Sequence, residues 1–235
     1  TEGEAHPDPL GESSSVVVWG IRNSDWKREK YSGRSPTERP FFKPVSLEPR
    51  QARLLISLGH RPEVEVNHVV DPFCGTGGIV IEAALQGIGV LASDLDSRMV
   101  EGTRENLDWI NGDYRTEICN ASEIDSLWGD VNGCLFAFDP PYGRSSWKSE
   151  DGLDLFLSAI SSARKVDPHG TISTMLPTGP EVLSQGQEED FVVMGVKWSQ
   201  LEDFIARRGW KVVLKSPIKV HRSLARMVIV CHPAD

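Results

Sequence analysis

The chain has 235 residues, 39% of them hydrophobic and 25% charged, which are the proportions of a folded globular protein. That length suits one large domain, the composition excludes disordered, collagen-like and coiled-coil chains, and no apolar run approaches the roughly 18 residues of a membrane span. A net charge of −9 hides an asymmetry, because Arg22–Arg53 carries 9 Lys/Arg against 4 Asp/Glu and Phe204–Ala234 carries 7 against none, while Leu54–Asp203 carries 9 against 25. If the basic flanks meet in space they form a positive stripe that steers a polyanion; the alternative is ordinary solvated charge.

Thr1–Ser15 is acidic and rich in Gly, Pro and Ser, with no basic-then-apolar pattern, so it reads as linker and not as a signal or transit peptide. Cys74, Cys119, Cys134 and Cys231 are scattered, with no C-x-x-C pair and no His at finger spacing, which points to reduced thiols, a cytoplasmic chain and no metal. Val16–Ile21 is a short β-like run, followed by a basic stretch. Ser46 is then a candidate helix N-cap with Pro49 in the first turn, and Ala52, Leu55, Ile56 and Leu58 follow at helical spacing until Gly59.

From Asn67 onward the hydrophobic period itself alternates. Strands are expected at Val69–Val70, Val90–Ser93, Arg115–Cys119, Cys134–Phe138 and Thr171–Leu176, and helices at Ile79–Leu85, Ser97–Ile110 (capped by Ser97) and Leu153–Lys165. Such βαβ alternation predicts an α/β fold, a mostly parallel sheet covered on both faces. After a loop over Gly179–Asp190 and a helix over Trp198–Arg208, the strands Trp210–Leu214 and Met227–Cys231 are joined by the basic Lys215–Arg226 connection. No crossover helix fits there, so an antiparallel hairpin at the sheet edge is expected. The expected division is a linker and extension over 1–38 and one catalytic domain over 39–235.

Ligands of doubly wound sheets sit beyond the carboxyl ends of the strands, where strand order reverses. Three segments fall at such ends: Asp71-Pro-Phe-Cys-Gly-Thr-Gly-Gly78, Ser93-Asp-Leu-Asp96 and Asp139-Pro-Pro-Tyr142. In the first, Gly75 and Gly77 permit a tight turn and close approach of a ligand to backbone. It lacks the Lys-Ser/Thr of a phosphate loop and begins with an acid, so it suits a cationic group; Asp71 can equally cap the loop amides. Asp94 lies about 20 residues on, where a carboxylate reaches ribose hydroxyls. Asp96 is either the N-cap of the next helix or a support for its ligand-binding neighbours. In the third segment Pro140 and Pro141 withhold two N–H donors, leaving the Asp139 carboxylate and the Pro140 carbonyl as paired acceptors. That pair fits an exocyclic amine, and Tyr142 can stack on the flat base carrying it.

These three segments resemble the S-adenosylmethionine-binding and catalytic motifs of class I amino-methyltransferases. With Arg39-Pro-Phe-Phe-Lys-Pro44 upstream and His221-Arg-Ser-Leu-Ala-Arg226 downstream, the chain is similar to the catalytic domain of the archaeal and eukaryotic tRNA guanosine-10 N2-methyltransferase family. The resemblance implies a Rossmann-like sheet of seven strands with the last inserted antiparallel, S-adenosylmethionine as methyl donor, and the N2 amine of a tRNA guanine as acceptor. It implies cofactor contacts from Phe41, Asp71, Phe73, Cys74, Gly75, Thr76, Gly77, Asp94, Leu95, Asn120 and Ala121, with Arg39–Pro44 closing over the cofactor. It gives the flipped guanine to Asp139, Pro140, Pro141 and Tyr142. Arg144, Lys219, Arg222 and Arg226 are candidates for RNA phosphate contacts, or are surface charge. Lys43 stands where the family often has His, and Asn120 where a related Asp commonly holds the adenine amine. Full-length members carry an N-terminal THUMP-type domain for which this chain has no room, so either an excised catalytic domain or tRNA recognition through the basic segments is implied. Some relatives also need a small zinc-binding activator subunit. The rival readings are an adenine-N6 methyltransferase, an rRNA guanine-N2 methyltransferase, and a non-catalytic module that binds cofactor or RNA.

Overall fold

The computed structural model describes residues 2–4, 15–17, 31–44, 46–129, 131–141, 150–183, 190–221 and 224–234. Its contacts divide the chain into two units, Thr1–Lys30 and Tyr31–Asp235. In the first, β1 (Glu2–Glu4) pairs antiparallel with β2 (Ser15–Val17).

The second unit follows the alternating hydrophobic period. Its elements run α1 (Pro49–Gly59), β3 (His68–Asp71), α2 (Gly78–Ala84), β4 (Gly89–Asp94), α3 (Ser97–Trp109), β5 (Tyr114–Ile118), α4 (Asp125–Trp128), β6 (Cys134–Phe138), α5 (Glu150–Val166) and β7 (Thr171–Thr178). The short β8 (Val192–Val193) and β9 (Val196–Lys197), then α6 (Trp198–Ala206), β10 (Trp210–His221) and β11 (Leu224–Pro233), complete it. The sheet order is β10-β11-β7-β6-β3-β4-β5, with β8 attached to β7 and β9 to β8. From β7 to β5 all neighbours are parallel, while β11 is antiparallel to both β7 and β10. The seven-stranded path expected from sequence is therefore present, extended by two short strands.

Side chains of β6 alternate between the two faces, as a pleated strand requires. Leu135 and Ala137 join Leu55, Ile79, Ile81 and Leu107 under α1, α2 and α3. Phe136 and Phe138 join Phe156, Ile160, Leu201 and Trp210 under α5 and α6. Burying each large apolar side chain in this way is worth about 1.5–3 kcal/mol, so these two clusters fix the sheet between its helices and with it the level of every strand end. The Trp210 indole N–H donates to the Ile160 carbonyl at 2.8 Å, satisfying the one polar atom of a fully buried ring.

Three local expectations are corrected. The helix α1 takes Glu48 as its N-cap residue, without a side-chain bond. Ser46 lies two residues earlier, where its hydroxyl accepts from the Lys43 N–H and the Thr76 hydroxyl. Helix α3 is capped by Asp96, whose carboxylate accepts the Arg98 N–H at 3.0 Å, so Ser97 is the first helical residue and not the cap. The basic Lys215–Arg226 stretch is mostly strand: β10 runs to His221 and β11 resumes at Leu224. A lysine-rich strand containing Pro217 reads as a connection, yet β10 is an edge strand, where both residue types are tolerated. No helix among the described residues is long and apolar enough to cross a membrane.

Candidate active site

Strand order reverses between β3 and β6, and in open α/β sheets the region beyond the carboxyl ends of such strands is where ligands bind. The chain leaves β3 at Asp71, which is buried, and turns through Gly75 and Gly77 at φ of 52° and 77° before α2 begins. Only glycine adopts those angles without strain. Asp71 accepts the Phe73 N–H at 3.0 Å, so the capping role allowed for it is real. Burial, then the nearby Asp94 and Asp139 carboxylates, push Asp71 well above the ordinary carboxylate range against that hydrogen bond.

Asp94 closes the turn from the neighbouring strand. One of its oxygens accepts from the Gly75 N–H and the other from the Asp96 N–H, each at 3.0 Å. A carboxylate offers about four lone-pair sites, so half its capacity remains for a ligand. Beside it Leu95 is 72% exposed and Ile118 is 58% exposed, an apolar pair left uncovered at the ends of β4 and β5. Cys74 and Thr76 turn inward and are buried. The Thr103 hydroxyl donates to the Gly75 carbonyl at 3.0 Å and lies 3.6 Å from the Cys74 sulfur, so Thr103 braces this turn from α3. Asn120 uses its side-chain oxygen to accept the Ser122 N–H at 3.1 Å, and Ala121 behind it is buried.

At the end of β6, Asp139 is half-buried, Pro140 is buried and Pro141 is exposed. Asp139 Oδ2 accepts from Arg226 Nη1 at 2.9 Å, and Asp139 Oδ1 is buried with no hydrogen-bond partner among the described residues. Burial lifts the Asp139 carboxyl to about 6, with Arg226 opposing the rise. Phe73 packs on Phe138 at 5.7 Å between ring centroids, tying the glycine turn to this strand end.

The Arg39–Pro44 segment lies along α2 and α3. Asn106 of α3 clasps Phe41 by accepting its N–H at 2.9 Å and donating to its carbonyl at 2.8 Å, and donates to the Thr76 carbonyl at 2.9 Å as well. The Phe41 ring sits on Gly102, where an added Cβ would stand 2.0 Å from it. Behind the segment, Glu82 of α2 is fully buried and held by Arg34 at 2.5 Å and Arg53 at 3.1 Å. Arg39 is buried beside them, donating to the carbonyls of Arg34 at 3.1 Å and Leu47 at 3.3 Å.

Phe73, Gly75, Asp94, Leu95, Asn120, Asp139 and Pro140 are thus gathered at the carboxyl ends of four adjacent strands. Cys74, Thr76 and Ala121 lie behind them in the packing, and Phe41 is fastened to α3. Tyr142, Arg144 and Arg222 lie outside the described residues. Lys219 is exposed on the edge strand β10. Arg226 departs from the expectation of a surface phosphate contact: it is 8% exposed and its guanidinium is paired to Asp139. The sequence reading also missed Asn106, Gly102 and Thr103. All three sit on the buried face of α3, and only that helical register could have indicated them.

Residues 36–207 match the family described as UPF0020, RMKL-like, methyltransferase domain. The chain belongs to this family. It is 34% identical over 204 residues to the tRNA (guanine(10)-N2)-dimethyltransferase of Methanothermobacter thermautotrophicus, an alignment covering 86% of this chain and 54% of that one. The enzyme of the same name from Pyrococcus abyssi is 30% identical over 192 residues, covering 81% and 57%. The chain therefore spans about half the length of these curated relatives. Its fold is that of a solved S-adenosylmethionine-dependent methyltransferase from Clostridium acetobutylicum, with a TM-score of 0.61 at 11% identity over 80% of this chain and 93% of that one. The membership and fold argued from the three strand-end motifs are borne out.

Proposed function

We propose that this chain transfers a methyl group from S-adenosylmethionine to the exocyclic N2 amine of guanine 10 in tRNA. The observation that carries this reading is the placement of Asp139 and Pro140 at the strand-order reversal, beside a glycine turn that lacks the Lys-Ser/Thr of a phosphate loop and is flanked by Asp71 and Asp94. The residues fit the cofactor. Among the described residues Gly75 has only the Phe73 carbonyl, at 3.8 Å, within reach of an added Cβ, so the turn leaves room for a ligand against its backbone. The acidic groups suit an amino group and ribose hydroxyls, and the uncovered Leu95 and Ile118 suit a flat heterocycle. When bound, S-adenosylmethionine supplies an activated methyl on a sulfonium centre.

The chain's own residues do the rest. Asp71, Phe73, Cys74, Gly75, Thr76 and Gly77 form the turn around the methionine part, with Asp94 at the ribose and Leu95, Asn120 and Ala121 around the adenine; Phe41 and its strap close the same side. The guanine amine is a weak nucleophile because its lone pair is delocalised into the ring. Accepting its two hydrogens at Asp139 Oδ1 and the Pro140 carbonyl localises that pair and aims it, while Pro141 stiffens the turn and Tyr142 stacks on the base. Asp139 Oδ1 then takes the proton that N2 loses. Lys219, Arg144 and Arg222 are assigned to phosphate contacts. The cytoplasm, a transferase domain over 39–235 and a small zinc-binding activator belong to the same proposal.

The test is to incubate the chain with labelled S-adenosylmethionine and tRNA bearing guanine or adenine at position 10, then identify the modified nucleoside. N2-methylguanosine formed only with guanine supports the reading, and N6-methyladenosine would replace it with adenine chemistry.

A further inference from the structure

We infer that Arg226 is a positioning residue for the acceptor amine: it pins Asp139 Oδ2 and thereby leaves Oδ1 as the ionised acceptor for one N–H of the base. This deepens the proposed methyl transfer and rests on Asp139 meeting the acceptor. The argument begins with a buried carboxylate that has one oxygen satisfied and one not. Asp139 Oδ2 is bonded to Arg226 at 2.9 Å, while Oδ1 is buried without a partner among the described residues. An unpartnered buried acceptor costs free energy, and in native proteins such an atom is satisfied by an ordered water or ion or has a role in the chemistry of the site. An amine hydrogen is a donor that would satisfy it.

Arg226 reaches this carboxylate from β11, two strands away from β6 with β7 between them. Arginine suits the task because its guanidinium stays charged when buried and its fork fixes direction as well as charge. The carboxylate cannot rotate its second oxygen out of its present position without breaking the bond to Arg226. The contact also acts on ionisation. Among the described residues the charged groups that face Asp139 are Arg226 from β11 and Asp71 from β3, with Asp94 of β4 next to Asp71. Burial alone lifts the carboxyl, and Arg226 is the group that opposes the lift. Loss of Arg226 therefore raises the Asp139 value further, so that the neutral acid, which carries a proton on one oxygen, dominates at higher pH. Methyl transfer needs the ionised form and falls as pH drops through the Asp139 value, and removing Arg226 moves that fall upward.

Two measurements on Arg226→Met and Arg226→Lys test this. The first is carbon-13 NMR titration of aspartate carboxyls on the protein alone, with Asp139→Asn as the assignment variant. The expected midpoint for Asp139 is about 6 in the parent, at least one pH unit higher in Arg226→Met, and largely restored in Arg226→Lys. The second is the pH profile of kcat/KM with tRNA and S-adenosylmethionine, whose acid limb is expected to move by the same amount, about tenfold in rate per unit on its acid side. A pH-independent loss with the titration unmoved would mean a purely structural Arg226 and overturn the inference. Raised KM for tRNA and a shallower salt dependence, with the titration unmoved, would overturn it in favour of a phosphate contact. A parent chain that transfers no methyl to any RNA would defeat the proposed function while leaving the titration to decide whether Arg226 governs Asp139.

Discussion

Among the described residues the fully buried Glu82 and the half-buried Asp139 both keep arginine partners, and they differ in how completely they are satisfied. Glu82 is fully buried on α2, and both its oxygens accept from Arg34, with Arg53 on the second. Asp139, at the end of β6, has Arg226 on one oxygen and nothing described on the other. The first arrangement closes a charge balance and fastens the 31–48 segment to the helices beneath. The second leaves an acceptor open at the place where strand order reverses. A carboxylate held on all sides stabilises, whereas one held on a single side is available for chemistry.

The contrast can be broken at its functional end first. Asp139→Ala is expected to lower methyl transfer by about a hundred- to a thousandfold, in the range of losses for a transition-state electrostatic group, while S-adenosylmethionine affinity by calorimetry changes less than about threefold. Loss of cofactor affinity instead would remove Asp139 from the acceptor side. The same comparison predicts the reverse pattern for Glu82→Ala. Stripping one partner from a buried ion pair costs about 3–5 kcal/mol, so urea unfolding should show a loss of that size, with turnover of the remaining folded protein largely kept.

Gly102→Ala sharpens the boundary between the two regions. Alanine ordinarily improves an exposed helix position by about 1 kcal/mol over glycine. Here the new Cβ would collide with the Phe41 ring. The expected outcome is a net loss of stability together with about tenfold weaker cofactor binding, measured by thermal unfolding and calorimetry, if the strap helps close the cofactor side.

Asp71→Asn is smaller and has a pH sign. The folded-state value of Asp71 lies above its ordinary 3.8, so the folded chain holds that proton more tightly than the unfolded chain does. Its contribution to stability is therefore best at low pH and declines as pH rises above about 4. Asparagine keeps an acceptor for the Phe73 N–H and removes the charge. The variant should gain stability relative to the parent as pH rises from 4 to 8, in denaturant titrations, while binding the cofactor more weakly. The smallest effect is expected for Lys219→Ala, a reduction of about one in the salt slope of tRNA binding if the lysine meets one phosphate.

The alternation of hydrophobic period made the sheet and its helices legible. Gly75, Gly77, Asp94 and Asp139 were legible because local backbone demands place glycine and acidic residues at strand ends. What the sequence concealed depends on distant pairing. Arg226 lies 87 residues from Asp139, within a cluster of basic residues, and nothing in its neighbours separates a buried guanidinium from a solvated one. Glu82 sits inside an apolar helix, and its partners come from two other segments. The caps at Ser46 and Ser97 were misread by one or two residues because a serine stands beside an acidic residue at each helix start, Glu48 at α1 and Asp96 at α3, and the competition between them is settled by packing.

The insertion of β11 between β7 and β10 joins residues that are far apart in the sequence. The acidic residue at the end of β6 is synthesised long before its arginine, which arrives on the last strand of the chain. Until that strand slots into the sheet interior, the centre lacks its counter-charge and the carboxyl group is biased toward its neutral form. A nascent or truncated chain stopping before residue 226 would carry the glycine turn and all the strand-end acids yet remain chemically unprimed.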